Sequence, residues 1–135
     1  MQLVDTDVIS ELCRRAPDRG VLAWAATQTR LALSAVTLEE IASGLAWRPN
    51  PVMQDWLDRL LAQHDMLPVT PAIARQAGAM RGTFAAAGIA RSQANMLIAA
   101  TALTHQLPLV TRNLRDFEGC GVPLLNPFAT PADAP

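Results

Sequence analysis

Two short apolar runs fix what this chain can become. LVDTDV at residues 3–8 and LPLVTRNLRDF at residues 107–117 each read as a strand that ends in a cluster of Asp, Asn, Thr and Arg. In open α/β sheets, ligands bind just beyond the carboxyl ends of the strands. Two strand ends that both deliver hard oxygen donors therefore point to a parallel sheet with a divalent-cation site at its rim.

The rest of the pattern supplies the helices such a sheet needs. Residues 2–4 read as a buried strand, followed by an amphipathic helix over 8–15 with Thr6 or Asp7 as its N-cap. A helix over 18–29, a strand over 31–36 and a helix from Thr37 to about Trp47 follow. Asn50-Pro51 opens a helix to about His64, with Pro at the first helical position. Residues 66–69 form a short strand. Thr70-Pro71 repeats the cap-plus-proline opening of a helix to about Ala87, which Gly88 ends. Ser92 caps a helix to about His105, residues 107–111 are a strand, and residues 122–125 are a weak last one. Strands alternating with helices mean α/β architecture, a central parallel sheet of about four to five strands with helices on its faces. No internal repeat or linker divides the chain. The expectation is one domain over residues 1–127 and a flexible tail over 128–135, with the Pro- and Ala-rich end fraying from Asn126.

Composition removes several functional classes. Half of the 135 residues are apolar and 17% are charged, which excludes a disordered or purely electrostatic binder. Net charge is −1 and every basic residue is Arg, so any nucleic-acid contact must come from a local patch. Cys13 and Cys120 match no C-x-x-C spacing and read as ordinary reduced cysteines. No apolar run reaches the roughly 20 residues of a membrane helix, and Met1 leads straight into the first strand. A soluble, cytoplasmic protein is expected.

Asp5 follows a strand and precedes a helix, so its carboxylate belongs at the sheet rim; Thr6 or Asp7 as the cap leaves it free for a site. Glu39 and Glu40 lie outside the stripe made by Leu38, Ile41, Ala42 and Leu45, so periodicity does not choose between them. Both also fit as solvated acids at a helix start. Asp116 lies beyond the strand at 107–111, in a loop with Arg112, Asn113 and Arg115. There Thr111 and Asn113 are placed to orient a ligand or water; a turn role for Asn113 and Asp116 competes, but the strand delivers this cluster to the same edge as Asp5, which favours a site. Converging carboxylates suit Mg²⁺ or Mn²⁺. His64 and His105 read as cations at helix C-termini rather than ligands. Trp24, Trp47 and Trp56 fall on helices, where they are more often core or interface than base-stacking platforms. No Ser-His-Asp set and no glycine-rich phosphate loop appears, which leaves a nucleotide-binding domain without its fingerprint.

LVDTDVISEL at 3–12, SAVTLEEIASGL at 34–45 and NMLIAATALTHQLPLVTRNLRDF at 95–117 together resemble a PIN-domain ribonuclease of the VapC toxin type, over Met1 to about Pro127. The resemblance implies a PIN-like α/β domain that binds Mg²⁺ or Mn²⁺ through a few acids and hydrolyses RNA. It also implies a homodimer and a small VapB-like antitoxin partner. By position, Asp5 looks like the first metal-binding acid, Glu40 the second (three residues after Thr37 in the TL-x-E pattern) and Asp116 the fourth. Asn113 occupies a neighbouring site-facing position.

The third acid of that pattern is Asn95 here, a neutral donor where the family has Asp. The site thereby loses one negative charge, and cation affinity depends on that charge. Asp7 stands where many relatives have Asn and returns part of it by hypothesis. An inactivating substitution, a weakly active natural variant and a relative that only binds partners all fit Asn95. The leading expectation is a metal-dependent endoribonuclease toxin acting on tRNA or another structured RNA. In it Asp5, Glu40, Asn95 and Asp116 surround the metal, Thr6, Thr111 and Asn113 support them, and Arg91, Arg112 and Arg115 are candidates for RNA phosphate. The alternative is a catalytically silent PIN-like module that binds an antitoxin or RNA without cutting.

Overall fold

A computed structural model of the chain describes residues 1–129. Its strands β1 (Leu3–Val4), β2 (Ala32–Ser34), β3 (Asp65–Leu67), β4 (Leu109–Val110) and β5 (Leu124–Leu125) form one sheet in the order β3-β2-β1-β4-β5. Every pairing is parallel. The helices are α1 (Thr6–Leu12), α2 (Arg19–Ala26), α3 (Ala35–Trp47), α4 (Pro51–Gln63), α5 (Pro71–Ala86) and α6 (Gln93–His105), with a 3₁₀ turn over Leu114–Phe117. The α/β, parallel-sheet expectation holds.

Side-chain alternation along the strands sorts the core into two layers. Leu3, Ala32 and Leu109 share one face and pack with Ile73, Ala77, Met96 and Ala99 from α5 and α6. Val4, Leu33 and Val110 share the other and meet Val8, Val21, Ile41, Leu57 and Leu60 from α1 to α4. Because β1 lies inside the sheet, both of its residues are fully buried. The strand order turns back between β1 and β4, and such a switch point opens a crevice at the strands' carboxyl ends.

Several boundaries differ from expectation, each for a capping reason. Asp5 itself caps α1, accepting from Thr6 N at 2.8 Å, so the helix begins before residue 8 and neither Thr6 nor Asp7 is the cap. Ser34 caps α3, its hydroxyl accepting from Val36 N at 3.0 Å, so β2 stops early and Thr37 lies buried inside the helix. His64 is not a helix-end cation: its Nδ1 accepts from Leu31 N at 3.1 Å, and burial together with the nearby Arg30 lowers its pKa. His105 does sit in the last turn of α6.

The chain end is held as far as Ala129, against the fraying expected from Asn126. Ala129 N donates to Asp18 Oδ1 at 2.9 Å, and the Arg112 guanidinium lies 4.5 Å from the centre of the Phe128 ring. Gly20 permits this passage, since a Cβ there would stand 2.4 Å from Pro127 O. Residues 130–135 of the expected tail lie outside the described residues. No helix among the described residues is long and apolar enough to cross a membrane.

Candidate functional site

The carboxyl ends of β1 and β4 meet at a single hydrogen bond. Asp5 N donates to Val110 O at 2.9 Å, which brings the Asp5 side chain beside residue 111. Thr111 Oγ1 then donates to Asp5 Oδ2 at 2.8 Å, while Oδ1 takes Thr6 N. Asp5 is 5% exposed and Thr111 is fully buried. Burial raises the Asp5 pKa, the bonds from Thr111 and Thr6 oppose that rise, and the nearby Glu40 and Asp116 carboxylates add to it. Asp5, Glu40 and Asp116 therefore share one field although they come from three separate stretches of sequence.

Of the two neighbouring acids in α3, Glu40 is the one bonded to the residue after Asp5. Glu40 Oε1 accepts from the Thr6 hydroxyl at 2.7 Å, and that hydroxyl also lies 3.0 Å from Thr37 Oγ1. Glu39 lines a separate, mostly apolar hollow with Val36, Val69 and Leu97. Thr37 is thus a supporting residue that the sequence places only as a cap.

Asp116 sits on the exposed 3₁₀ turn, its N bonded to Asn113 O at 3.1 Å. Asn113 is committed elsewhere: its N donates to Thr111 Oγ1 at 3.0 Å and its Nδ2 to Asp7 Oδ2 at 3.2 Å. Asp7 Oδ2 also accepts from Arg112 N at 3.1 Å, while Oδ1 is buried without a partner among the described residues. Burial and the neighbouring Asp5 push the Asp7 carboxyl up to about 6. Asp7 therefore ties α1 to the β4 loop.

Asn95 lies in the first turn of α6, half-buried, with its N capped by Ser92 Oγ at 3.0 Å. Among the described residues, no three His, Cys, Asp or Glu side chains stand together as a ready-made cation cage. Glu40 is drawn to Thr6, and position 95 offers no carboxylate. The donor set still fits a hard divalent cation in kind. It is all oxygen, it centres on a carboxylate whose pKa is raised first by burial and then by two acidic neighbours, and none of the three acids forms an ion pair among the described residues.

The three arginines separate. Arg91 donates to Arg115 O at 2.9 Å and Glu118 O at 2.7 Å and stacks 4.4 Å from the centre of the Phe84 ring, so it braces the turn that carries Asp116. Arg112 is stacked on Phe128. Arg115 is exposed.

Known proteins are similar to this chain over nearly its whole length. The PIN domain family model matches residues 3–119. The plasmid stability protein StbB of Pseudomonas syringae is 36% identical over 142 aligned residues, covering 95% of this chain and 99% of StbB. The VapC ribonuclease Y4jK of Sinorhizobium fredii is 34% identical, covering 95% and 98%. The crystal structure of FitAcB from Neisseria gonorrhoeae superposes with a TM-score of 0.82 at 31% identity, over 94% of this chain and 98% of that one.

Proposed function

The chain belongs to the PIN-domain family, and on that premise we propose that it is a metal-dependent endoribonuclease, the toxin of a toxin–antitoxin pair. The observation that carries the proposal is the coupling of Asp5, Glu40 and Asp116 at the switch point of the sheet. In this reading these three acids hold Mg²⁺ or Mn²⁺, with the Asn95 carbonyl as a neutral fourth donor. When bound, the cation supplies an activated water and neutralises charge that builds at the phosphorus.

The chain's own residues fix the donors. Thr111 and Thr6 N hold both Asp5 oxygens, so this carboxylate keeps one orientation. Thr6 holds Glu40 through its hydroxyl, and Arg91 braces the segment bearing Asp116. Asn95 lowers the negative charge of the set and weakens cation retention. RNA, tRNA or another structured RNA, is the substrate class, and an antitoxin protein and self-association into a homodimer complete the reading. The relatives named VapC ribonuclease support it.

The neutral residue at 95 and the lack of a three-acid cage among the described residues favour one other reading, a silent PIN-like module that binds its partner without cutting. Incubation of cellular RNA with the purified chain in Mn²⁺, in Mg²⁺ and in EDTA separates the two. Cleavage that stops in EDTA and in Asp5→Asn is expected. Cutting that survives both, or a chain that neither cuts nor binds Mn²⁺, overturns the nuclease.

A further inference from the structure

A cleft of about 240 Å³ opens directly from the acidic site, between α1, α3 and α4. Thr6 and Glu40 form its near wall, Ile41 and Met53 lend apolar lining, and Arg48 lies on its rim. The Arg48 guanidinium stacks 4.4 Å from the centre of the Trp47 ring. Trp47 is 77% exposed, far more than a tryptophan kept for packing, so its other face is open to solvent. Gly44 lies mid-helix in α3 along the cleft, and nothing stands within 4 Å of where its Cβ would project.

We infer that this cleft is the subsite for a nucleotide flanking the scissile phosphate of single-stranded RNA, with Arg48 on a backbone phosphate and Trp47 stacked on a base. The inference rests on the nuclease reading for what lies at the near wall. A phosphodiester brought to Asp5 and Glu40 must run its neighbouring nucleotides out of the site, and the cleft shares Glu40 with it. The acids repel phosphate, whereas Arg48 is the cationic side chain lining this exit. Of the other arginines, Arg91 is spent on two carbonyl oxygens and Arg112 lines a different cleft, beside Glu11 and Asp18. Arginine beside an aromatic ring that offers a free face is a sequence-tolerant way to grip single strands.

Fluorescence anisotropy of a labelled single-stranded oligoribonucleotide in EDTA tests binding apart from cutting. Trp47→Ala is expected to weaken binding roughly 5- to 100-fold, and Trp47→Phe to restore most of it. Arg48→Gln is expected to lower the slope of log Kd against log salt by about 0.7. Gly44→Leu, which fills the cleft while raising helix propensity, should weaken binding without lowering Tm. If Gly44→Leu does not fold, the two exposed positions decide. A parent chain that binds no RNA overturns the inference. So does equal binding by all the variants, which would leave the cleft to a protein segment. RNA binding through these residues, with no cutting by the parent or by Asn95→Asp, upholds the RNA cleft and sinks the nuclease. Cutting and binding that ignore them do the reverse.

Discussion

Thr111 Oγ1 donates to Asp5 Oδ2 at 2.8 Å across 106 positions of sequence, joining the first and fourth strands at their carboxyl ends. The same Oγ1 accepts from Asn113 N, so one hydroxyl orients an acid and sets the start of the loop that leads to Asp116. Thr111→Val keeps the shape and removes both bonds. It is expected to cost about 1–3 kcal/mol in chemical denaturation, since a buried carboxylate oxygen loses its donor. It also removes a bond that holds the Asp5 pKa down, so Mn²⁺ affinity measured by calorimetry should fall most at acidic pH. Thr111→Ser should restore both.

Asp7 gives the metal-free protein an inverted acid response. Its carboxyl stands at about 6 when folded, against an ordinary 3.8. A raised carboxyl favours the folded state fully below the unfolded pKa, and that contribution is lost as pH rises through the folded pKa. Stability in EDTA should therefore fall between about pH 4 and pH 6.5, by up to about 3 kcal/mol. Asp5 shifts in the same direction. Asp7→Asn should flatten the profile, and a stability that climbs from pH 4 to pH 6.5 would contradict this assignment.

Arg91 illustrates how a surface-looking cation becomes a brace. Its two bonds to Arg115 O and Glu118 O immobilise the turn bearing Asp116. Arg91→Lys cannot span both carbonyl oxygens as a planar fork does. It is expected to weaken Mn²⁺ binding several-fold while leaving RNA binding in EDTA unchanged. A loss of RNA binding with Mn²⁺ affinity intact would return Arg91 to the phosphate contacts.

The sheet was legible because strand and helix periods alternate cleanly and because Pro51, Pro71 and Ser92 mark helix starts. The cap of α1 was not. In Asp5-Thr6-Asp7 all three residues are good caps, and only the pairing of β1 with β4 selects Asp5, which caps the helix with one oxygen and takes the Thr111 hydroxyl on the other. Glu40 could be separated from Glu39 only by family resemblance or by Thr6, 34 positions away. The Arg91 brace, the stacking of Arg112 on Phe128 and the neutral acceptor role of His64 all depend on partners distant in sequence, to which local patterns are blind.

On the proposed reading, Asn95 occupies a weakened ligand position of an otherwise intact nuclease site. Single-turnover cleavage of RNA in Mn²⁺, comparing the parent chain with Asn95→Asp, tests it most directly. Metal-dependent cutting is expected to rise at least tenfold in the Asp form, with tighter Mn²⁺ binding, because a carboxylate replaces a neutral carbonyl among the donors. An Asp form that binds Mn²⁺ no better and cuts no faster than the parent would contradict it.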